Sequence, residues 1–316
     1  MSEKLSRRSF LSALAVSRIG LAQERPPNII LVLADDLGWG DVNSKIPTPN
    51  LSKFAQTGIT FTDYYCAASV CSPSRAGLMT GRYPVRTGLT NVLVPESENG
   101  LPQEEVILPQ LLKAKNYRTS CVGKWHLGSQ PQFLPTRRGL DYFYGLAYSH
   151  DMGEICLMEG EKIVARDVPA HSLASTFTNK GVDLIRGSSA EPFFLLLSHT
   201  APHIPNEPGA QFFKEVGKTG LGPYGDSVAE LDWSFGKILD AVASSDKEEN
   251  TLILFTSDNG PWYQGSTGPF RGRKGECWEG GMRVPFLARL PGRTPEGVVC
   301  DYPVSSLDIF PTMAGL

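Results

Sequence analysis

The sequence predicts an α/β protein in which helices cover both faces of a large, mostly parallel β-sheet. Short apolar segments rich in β-branched or aromatic residues alternate with helical patterns, as is typical of strands and crossover helices in a parallel sheet. Each apolar segment also runs directly into polar residues. With 316 residues, of which 41% are hydrophobic, the chain is long enough to bury a core on both sides of such a sheet.

Four segments are predicted as buried strands. They are Asn28 to Ala34, Thr119 to Val122, Phe193 to Leu197 and Thr251 to Thr256. The polar residues that follow them are, in the same order, Asp35-Asp36, Gly123-Lys124-Trp125-His126, Ser198-His199 with His203 further on, and Ser257-Asp258-Asn259-Gly260. Because ligands of parallel sheets bind beyond the carboxyl ends of the strands, we expect one crevice to gather these polar side chains.

Helical patterns lie between the predicted strands. They cover Leu51 to Gly58, Pro109 to Lys115, Ser172 to Ile185 and Ser227 to Val242. The last is the clearest, because its apolar residues recur at three- and four-residue steps along one face. The glycine-rich segment from Gly217 to Gly225 is predicted to be a surface loop that faces the substrate.

Composition excludes some classes of partner. The net charge is −3 and the isoelectric point is near 6.0, so nucleic-acid binding has no electrostatic support and polyanion binding would have to be local. No apolar stretch is long enough to span a bilayer, so we expect no integral membrane segment. The six cysteines lack the close paired spacings of a zinc site.

Residues 1–24 are interpreted as an export signal, with a disordered tail as the alternative. Arg7 and Arg8 precede a short apolar stretch, as in twin-arginine signals, although Arg18 interrupts that stretch early. We therefore expect a periplasmic or secreted protein. A lysosomal protein is the second choice, and the lone glycosylation sequon at Asn50 gives it little support.

The segment around Cys71 predicts an anion-binding helix N-terminus. Pro73 suits the first turn of a helix and Gly81 suits the residue just past its end. Cys71 would then lie where backbone N–H groups and the helix dipole favour an anion, and Arg75 adds a positive charge one turn along. A buried structural thiol or half of a disulfide is the alternative for this cysteine.

A metal site is predicted from two acid-rich strand ends. Asp35 and Asp36 follow one strand, and Asp258 and Asn259 follow another. Their four oxygen-bearing side chains suit a hard divalent cation such as calcium or magnesium, whereas zinc prefers nitrogen or sulfur. A single Asp-Asp pair is more often a turn or a helix cap, but two such strand ends in one sheet favour a metal.

Several of these motifs resemble those of the sulfatase family, which belongs to the alkaline phosphatase superfamily. Cys71-Ser72-Pro73-Ser74-Arg75 is similar to its signature, in which the cysteine is oxidised to formylglycine and the hydrated aldehyde attacks sulfate esters. Residues 33–41 and 256–260 resemble its calcium motifs, and residues 123–128 resemble its second signature. The resemblance spans residues 27 to 316 and implies an alkaline-phosphatase-like fold.

The resemblance also implies roles for single residues. Catalytic roles fall to Cys71, Arg75, Lys124, His126, His203 and Lys274, and sulfate binding to Lys124, Ser149, His203 and Lys274. The implied calcium ligands are Asp35, Asp36, modified Cys71, Asp258 and Asn259, with magnesium as the less favoured ion. His199 is the alternative to His203 as the leaving-group acid, and Arg273 is the alternative to Lys274. Ser149 lies in a segment, Tyr148 to Gly153, that resembles the arylsulfatase A and G branch.

The implied function is hydrolysis of sulfate monoesters after maturation by a formylglycine-generating enzyme. Expected substrates are sulfated small molecules, sulfated carbohydrates or sulfolipids. One alternative is a phosphodiester or phosphonate monoester hydrolase of the same superfamily. Another is a catalytically silent calcium-binding domain. It would be inactive because Cys71 is not converted, or because the cleft is incomplete without the smaller C-terminal domain into which family members continue. We therefore expect residues 25–316 to be a catalytic domain truncated at its C-terminal end.

Overall fold

A computed structural model describes residues 25–42, 45–188, 191–213 and 222–316. The predicted export segment, residues 1–24, lies outside the described residues, as do residues 217–221 of the predicted glycine-rich loop. Within the described ranges, no helix combines the length and the apolar character needed to cross a bilayer.

Most strands belong to one large mixed sheet. The strands are β1 (Asn28–Ala34), β2 (Ile59–Phe61), β3 (Tyr64–Tyr65), β4 (Arg118–Lys124), β5 (Tyr142–Leu146), β6 (Leu157–Glu159), β7 (Lys162–Ala165), β8 (Phe193–Ser198), β9 (Thr251–Ser257), β10 (Phe286–Arg289), β11 (Val298–Cys300) and β12 (Val304–Ser305). The large sheet has the order β11-β2-β10-β9-β1-β8-β4-β5-β6-β7, and β3 pairs with β12.

The centre of the sheet is parallel, as predicted. Strands β9, β1, β8, β4 and β5 pair in parallel with their neighbours, and they include all four strands expected from the sequence. Both flanks carry antiparallel pairings, β5 with β6 and β6 with β7 on one side, β9 with β10 and β10 with β2 on the other. The carboxyl ends of β9, β1, β8 and β4 therefore lie side by side at one edge.

Helices cover both faces of this sheet. They are α1 (Pro49–Thr57), α2 (Cys71–Thr80), α3 (Pro84–Thr87), α4 (Leu108–Lys113), α5 (Leu173–Arg186), α6 (Ala210–Phe213), α7 (Gly222–Ala243), α8 (Glu279–Met282) and α9 (Ile309–Gly315). One core cluster combines Ile29 and Leu31 of β1 with apolar residues of α2, α4 and α9. The other combines Ile30 and Val32 with residues of α1, α5 and α7. Alternate residues of β1 thus face opposite cores.

The predicted loop from Gly217 to Gly225 was wrong in its second half. Helix α7 begins at Gly222 and includes Gly225. Pro223 explains the difference, because the fixed φ of proline suits the first turn of a helix, where its missing N–H costs nothing. Tyr224 is also buried and packs in the core cluster of that face, so tertiary packing stabilises a turn that composition alone assigns to a loop.

A close approach of two backbones positions the end of β4. Gly123 has a φ of 108°, and a Cβ there would lie 1.8 Å from the backbone oxygen of Ser198 on β8. Any side chain larger than hydrogen would push the two strands apart next to Lys124.

We expect Gly123→Ala to lower the free energy of unfolding by more than about 4 kcal/mol, because a rigid backbone atom occupies the space that Cβ needs. Gly153→Ala is the matched control: its φ is 122°, but no heavy atom lies within 4 Å of its Cβ position. It should lose only about 1–3 kcal/mol, the usual cost of a disfavoured φ. Urea denaturation measures both, and equal losses would contradict the steric argument.

Candidate active site

The candidate active site lies where four neighbouring parallel strands end. Asp35 and Asp36 follow β1, Asp258 follows β9, His199 follows β8, and Lys124 ends β4. Each of these residues is almost fully buried. The structure therefore brings the predicted polar strand ends into one region.

Asp36 and His126 also have positive φ angles of 65° and 60°, a costly conformation for non-glycine residues that recurs at functional sites.

Cys71 is the first residue of α2, as predicted. It is 2% exposed, and its Sγ lies 3.3 Å from Lys274 Nζ and 3.6 Å from Asp35 Oδ1. Burial raises the pKa of its thiol well above the usual value, although the positive charge of Lys124 opposes this shift. The unmodified side chain is therefore a protonated thiol and a poor nucleophile. All six cysteines are free, so the disulfide alternative for Cys71 was wrong.

Arg75 contacts four of the strand ends from inside the site. It is 2% exposed, and its Nε donates a hydrogen bond to Asp258 Oδ2 at 2.9 Å. Its Nη1 donates to the backbone oxygen of Lys124 at 2.9 Å and to Ser198 Oγ at 2.7 Å. Its Nη2 lies 3.7 Å from Asp35 Oδ1 and has no hydrogen-bond partner among the described residues. One guanidinium thus contacts the ends of β9, β4, β8 and β1.

Two lysines complete the positive side of the cluster. Lys124 Nζ lies 2.6 Å from Asp35 Oδ2 and donates to Ser149 Oγ at 3.0 Å. Lys274 Nζ lies 2.8 Å from the carboxylate of Asp36. With Arg75, these lysines supply three formal positive charges close to Cys71. Three carboxylates, those of Asp35, Asp36 and Asp258, offset them.

The buried carboxylates feel opposing effects. Burial favours the neutral acid of Asp35, but the nearby charges of Lys124 and other cations outweigh burial and hold its pKa well below the usual value. For Asp258, burial and then the negative charge of Asp35 raise the pKa, and Arg75 only partly offsets them. The positive charges near Asp258 therefore do not fully offset its burial and the negative charge of Asp35.

The oxygen-rich side of the cluster fits a hard divalent cation. Asn259 is fully buried, and its Nδ2 donates to Asp36 Oδ1 at 2.7 Å, which leaves Oδ1 as an acceptor without a partner among the described residues. A buried amide oxygen without a donor is costly unless a cation binds it. Together with Asp35, Asp36 and Asp258, this oxygen makes a set of hard ligands that could hold calcium or magnesium.

His126 has one free nitrogen. Its Nε2 lies 2.8 Å from the backbone oxygen of Leu93, so Nε2 carries the proton and donates it. Its Nδ1 is buried and has no partner among the described residues. Burial, followed by the positive charges of Lys124 and Arg75, holds the pKa of His126 well below the usual value. The ring is therefore neutral, and Nδ1 is a buried proton acceptor.

The structure separates the two candidate histidines that follow β8. His203 can bring a ring nitrogen within 4.8 Å of ligand atoms of Asp35, Asp36 and Cys71, and its Nε2 lies 3.6 Å from Asp36 Oδ2. The Nε2 of His199 instead lies 2.9 Å from the Oγ of Ser234 on α7. His203 therefore lies in the cluster, whereas His199 points into the helix layer.

Arg273 and Lys274 also separate clearly. The Nη1 of Arg273 donates to the backbone oxygens of Trp262 and Gly265 at 3.1 and 2.9 Å, so this side chain braces a neighbouring loop. Lys274 reaches Asp36 and Cys71 instead.

Sequence reasoning missed several members of the site. Ser198 accepts a hydrogen bond from Arg75, and the backbone oxygen of Leu93 orients His126. His150 and Asp151 lie beside His203. A polar residue ending a buried strand could have indicated Ser198, but no sequence signal points to the Leu93 carbonyl.

Arg75, Lys124 and Lys274 place three positive charges close to the buried side chain of Cys71, and the oxygen ligands for a hard cation lie beside them. This arrangement defines a site for a tetrahedral oxyanion. Comparison with known proteins gives the family. A sequence model of the sulfatase family matches residues 27–316, and the chain belongs to that family.

Two curated relatives illustrate the similarity. Human arylsulfatase A is 40% identical over 346 aligned residues, which cover 98% of this chain and 67% of that protein. Arylsulfatase G from Canis lupus familiaris is 37% identical over 351 residues, covering 94% and 65%. The chain thus spans about two thirds of the length of these relatives.

Solved structures agree on the fold. Ps i-CgsB in complex with k-i-k-neocarrahexaose has a TM-score of 0.85 at 32% identity, covering 92% of this chain and 71% of that one. The phosphonate monoester hydrolase of Agrobacterium radiobacter has a TM-score of 0.63 at 18% identity, covering 90% and 72%, which shows a shared fold alone.

Proposed function

We propose that the chain is a sulfuric ester hydrolase that cleaves sulfate monoesters through a formylglycine formed from Cys71. The observation that carries this proposal is the position of Cys71, at the start of α2 and 3.3 Å from Lys274 Nζ, inside a buried cluster that also holds Arg75 and Lys124. Formylglycine would supply a hydrated aldehyde as the nucleophile, which the buried, protonated thiol does not provide.

The fixed charges of the site would bind the sulfate group and stabilise its transition state. Lys124 and Lys274 direct their ammonium groups into the cluster, and Ser149 adds a hydroxyl 3.0 Å from Lys124. Because these groups are buried and already paired, they need little reorganisation when the sulfate charge develops. The start of α2 adds backbone N–H groups to the same positive field.

Two histidines would move protons during turnover. His203, near Asp36 and Cys71, is the group we assign to protonate the leaving oxygen of the alcohol or phenol. His126 has a neutral ring and a buried, unpartnered Nδ1, and it is the group we assign to accept a proton from the side chain at position 71. The hydrogen bond to Leu93 holds the tautomer that keeps Nδ1 free.

We further propose calcium as the resident ion, held by Asp35, Asp36, Asp258, Asn259 and the modified side chain at position 71. When bound, it would supply positive charge for the sulfate oxygens. The three carboxylates and the three fixed cations cancel in formal charge, so a divalent ion leaves the site positive before an anionic ester binds. Magnesium fits less well, because it demands a tighter octahedral shell.

The natural substrate we propose is a sulfated carbohydrate, with a sulfolipid as the alternative. The complex of the similar Ps i-CgsB with k-i-k-neocarrahexaose supports the first. Maturation would need a formylglycine-generating enzyme. We propose export to the periplasm or the medium, on the strength of the twin-arginine pattern in residues 1–24.

The test of the main proposal is co-expression with a formylglycine-generating enzyme. Mass spectrometry of the Cys71 peptide should show conversion of the thiol to the aldehyde, and the protein should hydrolyse aryl sulfate faster than aryl phosphodiester. Cys71→Ala should lower aryl sulfate turnover by roughly 10³-fold or more, because the nucleophile is lost. Cys277→Ala, at an exposed cysteine, is the matched control and should keep its activity.

Two results would overturn the assignment. Faster turnover of the diester would indicate a phosphodiester hydrolase. A thiol retained at Cys71 together with no turnover of either ester would indicate a silent domain.

His203→Ala should lower kcat for an alkyl sulfate by about 10²–10⁴-fold, because an alkoxide cannot leave without a proton. The loss should be much smaller for 4-nitrophenyl sulfate, whose phenolate leaves unaided. His199→Ala is the comparison variant, since His199 contacts Ser234 rather than the cluster, and any loss should be equal for both esters. A leaving-group-dependent loss in His199→Ala instead would reverse the two roles.

Calcium added after treatment with EDTA should raise the thermal unfolding midpoint of the protein. At 100 times its Kd, a ligand that binds only the folded state stabilises that state by about 2.7 kcal/mol. Asn259→Ala should reduce this calcium-induced shift, because the variant lacks the unpartnered Oδ1. Asn91→Ala, at an exposed asparagine, should keep the full shift. Identical shifts in all three proteins would exclude Asn259 as a ligand.

A further inference from the structure

His203 also belongs to a second group of potential metal ligands, which includes none of the oxygens assigned to the calcium site. His150, Asp151 and His203 can each bring one ligand atom within 4.8 Å of the others. Asp151 Oδ1 lies 4.0 Å from His203 Nδ1, and the two imidazole rings meet edge to face with centroids 5.7 Å apart. His203 Nδ1 also contacts the backbone oxygen of Ile204, a contact that a metal ion would replace. Release of Nδ1 and rotamer shifts of about an ångström would bring such atoms to the spacing of a tetrahedral site.

His150 has an unsatisfied nitrogen. It is 7% exposed, and its Nδ1 has no hydrogen-bond partner among the described residues, while Nε2 lies 3.4 Å from the backbone oxygen of Pro205. A buried imidazole nitrogen without a hydrogen-bond partner is a ligand that transition metals can bind.

The surroundings leave room and an entry route. A small cavity is lined by His150, His203 and Glu230. The Oε1 atom of Glu230 is buried and also lacks a partner among the described residues, so it could accept a hydrogen bond from a metal-bound water. The Asp151 side chain is 30% exposed and opens the group to solvent.

We propose that His150, Asp151 and His203 form a second metal site for a borderline divalent cation such as Zn²⁺, and that its occupancy inhibits hydrolysis. Two imidazole nitrogens and a carboxylate oxygen are the ligands that such ions prefer, in contrast to the oxygen set of the hard-cation site. Metal on His203 fixes its ring and withdraws it from the leaving group. The inhibition rests on the proposed role of His203, whereas the binding does not.

The test of binding uses Co²⁺ as a spectroscopic probe for Zn²⁺, on the full chain saturated with Ca²⁺. A Cys277→Ser background removes the exposed thiol as a competing ligand. We expect one Co²⁺ with the visible bands of a four- or five-coordinate site. His150→Gln and Asp151→Asn should each weaken Co²⁺ binding by at least about 10-fold. His171→Gln, at an exposed histidine, should bind as the parent does.

Retention of the Ca²⁺-dependent thermal shift shows that each variant is folded, and Asp151→Asn, at a partly exposed side chain, preserves shape if His150→Gln does not fold. Equal Co²⁺ affinity in the parent and in the folded variants would overturn the site.

The activity measurement follows aryl sulfate turnover against Zn²⁺. Inhibition should be reversed by a chelator selective for transition metals, and His150→Gln should raise the half-inhibitory Zn²⁺ concentration by the same factor as its loss of Co²⁺ affinity. Tight Co²⁺ binding without inhibition would overturn the inhibitory part. A protein that has no sulfatase activity but binds Co²⁺ in the expected pattern would defeat the proposed function and uphold the site.

Discussion

The site depends on one buried guanidinium. Three carboxylates cannot stay ionised at the ends of β1 and β9 without compensating charge, because an unpaired buried charge costs several kcal/mol. Lys124 and Lys274 pair with Asp35 and Asp36, and Arg75 supplies the direct partner of Asp258 while also lying 3.7 Å from Asp35. The remaining donors of Arg75 fix Ser198 and the backbone of Lys124. A lysine could not replace it, since only the planar fork reaches several strand ends at once. Helix α2 thus links its first residue, Cys71, to the sheet edge by way of Arg75.

Much of this arrangement could be predicted from the sequence. The central strands are buried on both faces, so their near-continuous apolar runs identify them, and the polar residues that follow mark the edge where ligands bind. Pro73 and Gly81 bound helix α2 closely, because both residues act through local backbone geometry: Gly81 has a φ of 66°. Features that depend on local geometry and on burial over several residues are therefore readable from one sequence.

Other features depend on contacts between distant segments and could not be predicted. Strand β7 is largely exposed and exists because β6 pairs with it, so it leaves no apolar pattern. His199 and His203 follow the same strand, and their directions are set by Ser234 on α7 and by Asp36. The orientation of His126 depends on a carbonyl 33 residues away in sequence. Family resemblance selected His203 from a pattern of residues, but the physical reason for the selection is tertiary.

His203 lies between two groups of potential metal ligands, and it belongs to both. On one side are the carboxylates and Cys71 of the cluster, and on the other are His150 and Asp151. An imidazole carries two nitrogens, so one can serve the leaving group while the other is held by its neighbours. The nitrogen that faces Asp151 lies 4.0 Å from a partly exposed carboxylate and also contacts the backbone oxygen of Ile204. Any ligand that captures this nitrogen fixes the ring on the catalytic side as well, because the imidazole is rigid.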